Sequence, residues 1–167
     1  MKVRKASGLR KSPHHLLTDE EIEKLKADIT AIRADIEKFV FNKGTHTSYS
    51  DDLDKILVRG DVLPDAIYSA HPRDMMSARA VLAHEYYGHR LNRGTRLLKG
   101  SWNDEFRASY MAAQNAPGLT DQDRMFLILD AMERAKEVGV SIHWNSFMRR
   151  VVYGVDYQQT AFESYKG

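Results

Sequence analysis

The stretch Ala83-His84-Glu85-Tyr86-Tyr87-Gly88-His89 decides how the fold of this 167-residue sequence is interpreted. A histidine followed directly by a glutamate, with a second histidine about one helical turn later, is the pattern of zinc hydrolases. Two neutral imidazoles on one helix face supply two rigid zinc ligands. The glutamate beside them would take a proton from water, whose pKa zinc lowers to about 7. We therefore predict that His84 and His89 bind zinc and that Glu85 is the general base.

The two histidines are five positions apart rather than four. In a regular α-helix four residues turn about 40° past a full turn and five turn about 140°, so the two rings would point apart. A π-type widening by one residue would bring the rings together, and such widenings cluster at functional sites. The backbone freedom of Gly88 would permit it. The spacing thus predicts an i→i+5 hydrogen bond within residues 84–89.

A second motif, Asp104-Glu105-Phe106-Arg107-Ala108-Ser109, begins fifteen residues after His89. Together the two motifs resemble dipeptidyl peptidase III, whose zinc helix reads His-Glu-x-x-Gly-His and whose later helix reads Glu-Glu-Cys-Arg-Ala-Glu. The resemblance implies one zinc ion per chain with Glu105 as its third ligand. It also implies that Asp104 and Ser109 lie around the ligands, where Arg107 would either pair with Asp104 or reach the substrate.

The resemblance is local, because it covers only about residues 75–112 of a chain too short for the two-lobed body of that family. Ser109 stands where the family has an acid that orients a histidine ligand. Exopeptidase specificity therefore does not carry over. What the resemblance implies is the zinc site of a minimal zincin-like domain, in the class whose third ligand is a glutamate.

Each of these residues also has a structural interpretation. A buried histidine commonly has a hydrogen-bonded neighbour instead of a metal, and Glu105 could be a first-turn acid that complements a helix dipole. Three protein ligands, however, leave a fourth position open, as in catalytic zinc sites. Such a site also needs a donor for the oxyanion, and by chain order His143 and Tyr153 are the candidates. His71, before Pro72, is either a ligand or a helix-start residue.

The rest of the chain predicts an α+β fold that is mostly helical. A capping box at Thr18 begins a helix whose apolar stripe, through Phe39, runs to Gly44. Residues 45–70 carry β-branched and aromatic residues broken by turn signals, which predicts two or three short strands. The further predicted helices run from Pro72 through Arg90 to Gly94, from Ser101–Asn103 to Pro117, from Thr120 to Gly139 with Phe126, Leu129, Met132 and Ala135 on one face, and from Trp144 to Val152.

Composition narrows the chemistry and the domain organisation. The sequence contains no cysteine, so a metal can be held only by histidine and carboxylate. Five basic residues fall within the first eleven, and we predict a basic N-terminal arm over residues 1–17, followed by one domain over 18–167. The arm could contact nucleic acid or an acidic partner, but we expect a solvated terminus.

We therefore predict a zinc metallopeptidase that uses metal-activated water on a peptide or protein substrate lying along an edge strand at Lys55–Arg59. Two alternatives stay open: an inactive zincin-like module that binds protein or nucleic acid, and an amidase acting on a non-peptide amide. No apolar run approaches the roughly 20 residues that span a bilayer, and no signal peptide is recognisable. We expect a soluble, cytoplasmic protein, with a secreted effector or toxin fragment as the alternative.

Overall fold

The computed structural model describes residues 10–65, 71–95 and 97–154, and the α+β, mostly helical fold is confirmed. The elements are α1 Asp19–Ala31, β1 Phe39–Phe41, β2 Ser48–Ser50, β3 Lys55–Val58, α2 Pro72–Met75, α3 Ala78–Ala83, a π-helix His84–His89, α4 Trp102–Asn115, α5 Asp121–Glu137 and α6 Ser146–Tyr153. The three strands form one sheet in the order β1-β3-β2, with β1 parallel and β2 antiparallel to β3. No helix in these residues is long and apolar enough to cross a membrane.

Helix α1 is much shorter than its apolar stripe predicts. The capping box is present, since the Thr18 hydroxyl accepts from the Glu21 amide and the Glu21 carboxylate accepts from the Thr18 amide. The helix nevertheless ends at Ala31, because Arg33 has a φ of 54° and the left-handed region cannot continue an α-helix. Phe39 consequently lies in β1, where its ring stacks on that of Tyr86.

The sheet places the predicted edge strand at its centre. Lys55–Val58 forms β3, which pairs on both sides, so the prediction that a substrate lies along Lys55–Arg59 is wrong. Strand β2 is an edge of the sheet and contacts the π-helix. Tyr49 of β2 is 5% exposed and its hydroxyl donates to Asp54 at 2.8 Å. The sheet therefore supports the π-helix through β2.

The helix predicted from Pro72 is interrupted before it reaches the histidine motif. Met76 is extended (ψ 134°), and the Ser77 hydroxyl caps α3 by accepting from the Ala80 amide. His71 caps α2, because its Nδ1 accepts from the Arg73 amide at 3.1 Å. Of the two roles considered for His71, the helix-start role is therefore the one observed.

Helices α4 and α5 begin and end close to the predicted positions and pack against each other. Of the predicted stripe of α5, Ala135 is fully buried and Phe126 and Met132 pack against the core. The buried face also includes Leu127, Ile128 and Ala131. Helix α6 packs on α5.

Residues 10–17, which we predict to be part of the N-terminal arm, contact the residues that follow them. The Arg10 guanidinium donates to the backbone carbonyls of Asp61 and Val62, both at 2.7 Å, and of Met76 at 2.9 Å. Leu17 is 4% exposed and lies in the hydrophobic core. Residues 1–9 of the predicted basic arm lie outside the described residues.

Candidate metal centre

The predicted widening of the helix is present, since residues His84–His89 form a π-helix. The extra residue per turn brings both imidazoles to the same side. Their ring centroids are 4.8 Å apart, with an interplanar angle of 79°, and the two Nε2 atoms are 3.1 Å apart. Two ligand-capable nitrogens therefore converge on one point, as the five-residue spacing predicts.

Helix α4 brings Glu105 to the same point. Its Oε2 lies 3.1 Å from His84 Nε2 and its Oε1 lies 3.0 Å from His89 Nε2. The helix begins at Trp102 behind Ser101, whose hydroxyl accepts from the Asp104 amide, so Glu105 is in the first turn. Glu105 is thus both a first-turn acid of α4 and a close neighbour of the two histidines.

Gly88 serves a purpose other than the predicted backbone freedom, because it is not among the described glycines with positive φ. A Cβ built on Gly88 would lie 2.7 Å from the carbonyl carbon and from the Cα of Ala108, and closer still to the carbonyl oxygen. Helix α4 therefore crosses the π-helix in direct backbone contact. Glycine at position 88 brings Glu105 within reach of the histidines.

The hydrogen bonds of Ser109 define the proton position on His84. Ser109 Oγ lies 2.7 Å from Asp130 Oδ2 and 2.8 Å from His84 Nδ1. An ionised carboxylate can only accept, so the hydroxyl donates to Asp130 and accepts from Nδ1–H of His84. The neutral ring of His84 then has its lone pair on Nε2, the atom that faces His89 and Glu105.

These three side chains fit a zinc ion. Zinc–ligand bonds of about 2.0–2.1 Å in a tetrahedron put neighbouring ligand atoms about 3.3–3.4 Å apart. The two Nε2 atoms are 3.1 Å apart, and the two oxygens of Glu105 lie 3.1 Å from His84 Nε2 and 3.0 Å from His89 Nε2, all close to that spacing. Moreover, the lone pair on His84 Nε2 faces a carboxylate oxygen, an arrangement that a shared cation stabilises.

The acid and its histidine neighbours shift one another's pKa values. Burial opposes the charge on Glu105, but the adjoining rings of His84 and His89 outweigh it and hold the pKa of this carboxyl far below its usual range. Burial likewise acts to lower the pKa of His89, yet the hydrogen bond to Glu105 and the charges of Glu85 and Asp104 raise it to about 9. Glu105 is therefore ionised at neutral pH and available as a ligand.

Glu85 is buried (8% exposed) beside the two histidines. Its carboxylate lies within 4.8 Å of a ring nitrogen of each. Burial raises the pKa of Glu85 against the opposing charges of His89 and His84. A carboxylate with a raised pKa, held near the ligands, is suited to accept a proton.

The cluster opens onto a cleft of about 510 Å³. Its walls include strand β2, residues 92–95, 97, 99 and 100, and side chains of α4 and α5. On β2 the Tyr49 carbonyl accepts from Lys99 Nζ at 3.1 Å. The carbonyl group of Tyr49 is thus already engaged.

Asp104 and Arg107 flank the cluster as the resemblance implies. Asp104 Oδ2 lies 3.7 Å from His89 Nδ1 and accepts from the Gly100 amide at 3.0 Å. Arg107 Nη2 lies 3.4 Å from Asp104 Oδ1, while its buried Nε has no hydrogen-bond partner among the described residues. Arg107 also lines the cleft, so its pairing with Asp104 leaves it donors to spare.

Neither His143 nor Tyr153 is brought to the cluster, so chain order misidentifies the oxyanion donors. Both are exposed, and neither is among the described residues that line the cleft. Tyr153 instead packs against Trp144. Arg134, which no sequence motif indicates, lines the cleft with its Nη1 3.2 Å from Glu105 Oε2.

A second group of potential ligands comprises His71, Glu133 and Glu137. Because Nδ1 of His71 accepts from the Arg73 amide, the neutral ring has its proton on Nε2, the atom that faces Glu137 at 3.3 Å. The Arg73 guanidinium also lies 3.6 Å from Glu137. This group is therefore better described as an ion-pair network than as a metal site.

Comparisons of the chain with protein-family profiles, with curated proteins and with solved structures found no match. The likeness to dipeptidyl peptidase III consequently remains one of two short motifs. The functional argument depends on the geometry of the cluster itself.

Proposed function

We propose that this protein is a zinc-dependent hydrolase that cleaves a peptide bond. The observation that carries the proposal is the convergence of His84 Nε2, His89 Nε2 and the Glu105 carboxylate within 3.0–3.1 Å of one another, at the floor of a cleft. Among the described residues, three candidate protein ligands meet at this point. Three ligands leave the fourth coordination position of a tetrahedral zinc ion to water or substrate.

Each side chain has a defined task in this proposal. His84, His89 and Glu105 would hold the zinc, which would supply a Lewis acid that polarises a carbonyl and lowers the pKa of water. Glu85 takes the proton of the attacking water and delivers it to the leaving amine. Its burial beside both histidines keeps the carboxylate close to the candidate ligands.

Arg134 takes the place of the donors that chain order suggested. It lines the cleft, it is 18% exposed, and its guanidinium adjoins Glu105. A fixed cation beside the reacting carbonyl stabilises the negative charge that develops on oxygen in the transition state. The guanidinium has five donors, so it can bind Glu105 and still donate to substrate.

The experiment that tests the proposal is Glu85→Gln. Glutamine keeps the shape of the side chain but cannot accept the proton. We expect one zinc per chain in both proteins and a hydrolysis rate about 10²–10⁴ times lower in the variant. The measurements are zinc content, melting temperature and cleavage of a fluorogenic peptide library, with the exposed Glu20→Gln as the matched control.

The outcomes separate the alternatives. Wild-type protein that takes up no zinc would refute the metal site, and loss of zinc in Glu85→Gln would make Glu85 a ligand. Zinc-loaded wild type that cleaves no peptide but cleaves other amides would identify an amidase. If it cleaves neither, the cluster belongs to a binding module.

A further inference from the structure

Asp130 is a fully buried carboxylate near the middle of α5, and it takes no part in the proposed reaction. It accepts from Ser109 Oγ at 2.7 Å and from Arg73 Nε at 3.1 Å, and it lies 3.4 Å from Arg134 Nε. Burial of an unpaired charge destabilises the folded state, and here two guanidinium groups pair with the carboxylate. The carboxylate is therefore the centre of a network.

Two arms of this network end on two different candidate ligands. Through Ser109 it reaches His84, whose Nδ1 lies 2.8 Å from the hydroxyl. Through Arg134 it reaches Glu105, whose Oε2 lies 3.2 Å from Nη1. One ligand belongs to the π-helix and the other to α4, so a single residue of α5 connects two elements of the site.

We propose that Asp130 is a positioning residue that fixes His84 and Glu105 at metal-binding distance from each other. The proposal depends on the zinc site proposed above. Along the Ser109 arm it sets the tautomer of His84, leaving the Nε2 lone pair toward the metal. Along the Arg134 arm it holds the guanidinium that orients Glu105. The acid that the motif lacks at Ser109 is thus supplied by Asp130 from another helix.

Asp130→Asn tests the role of the carboxylate. An asparagine amide can donate to Ser109, which would then donate to His84 Nδ1 and put the ring proton on Nε2, the wrong atom for a ligand. It also removes the negative charge that Arg73 and Arg134 share. We expect zinc affinity, measured by competition with a chromophoric chelator, to fall about 10–100-fold.

Asp123→Asn is the matched control. Asp123 is another buried acid of α5 and accepts from a serine, Ser77 Oγ, at 2.7 Å, but it does not line the cleft. We expect this variant to lose stability while keeping the zinc affinity of the wild type. An equal loss of affinity in both variants would mean that general destabilisation is the cause, and this would overturn the proposal.

Two single-arm variants keep the test decisive if Asp130→Asn does not fold. Ser109→Ala removes only the His84 arm and Arg134→Gln weakens only the Glu105 arm, and each should reduce zinc affinity about tenfold or more. The absorption spectrum of the cobalt-substituted protein should also change, because it reports ligand geometry. Wild-type affinity in both variants would refute the positioning role, whereas a wild type that binds no zinc would refute the metal site itself.

Discussion

Gly88→Ala tests the packing that brings the two halves of the site together. The added methyl carbon would lie 2.7 Å from backbone atoms of Ala108, whereas ordinary contact begins at 3.4 Å. Helix α4 would have to move away by at least about 0.7 Å, and overpacking of this kind costs about 1–3 kcal/mol. Metal sites tolerate ligand displacements of only about 0.2 Å. We therefore expect lower stability together with a loss of zinc affinity of at least tenfold.

The sign of the stability change separates two explanations of this glycine. If Gly88 were present only for backbone freedom, alanine would be the better helix former by about 1 kcal/mol and would stabilise the protein. If the close approach of α4 requires it, the melting temperature should fall by about 3–10 °C. Calorimetry and chelator competition measure the two quantities on the same samples.

Gly139→Ala provides the control for destabilisation alone. Its φ of 74° disfavours alanine, but a Cβ there would meet nothing within 4 Å. We expect it to lower stability by about 1–2 kcal/mol without affecting zinc. Gly88→Ala protein with wild-type stability and wild-type zinc affinity would refute the packing argument.

Two further predictions concern protonation and the N-terminal segment. Because the pKa of His89 is raised to about 9 in the metal-free protein and a protonated imidazole cannot bind metal, zinc affinity should rise about tenfold from pH 7 to pH 8 and level off near pH 9. Competition titrations across this range check it, and an affinity independent of pH would contradict it. Arg10→Met should lower the free energy of unfolding by about 2–4 kcal/mol in urea denaturation, because buried carbonyls lose a charged donor. Lys11→Met is its control, and an equal effect of both would refute the special role of Arg10.

The sequence predicts the helices whose ends have local signals. Ser101 and Thr120 cap α4 and α5 through hydrogen bonds to residues three positions later, so both are visible in a short window. The end of α1 has no such signal, because the left-handed turn at Arg33 involves neither glycine nor proline. The apolar spacing continues past it, since Ile32 and Phe39 face the same core from different elements.

The candidate site likewise contains residues that the sequence predicts and residues that it does not. His84, Glu85 and His89 are close in sequence, and their spacing alone predicts the π-helix. Asp130 and Arg134 lie on α5, beyond the whole of α4, and their four-residue spacing is that of an ordinary surface ion pair. Chain order suggests His143 and Tyr153 as candidates because it does not say against which side of α5 helix α6 packs.

The π-helix has a consequence for how such sites are recognised. Four residues along an α-helix and five along a π-helix bring two side chains to nearly the same azimuth, so the metal cannot distinguish the two spacings. A search pattern that fixes the interval between histidines at four encodes the hydrogen-bond ladder of one helix type rather than the requirement of the ion. A pattern that specifies the angle between the two histidines around the helix axis would include both spacings. Such a pattern would also find this chain.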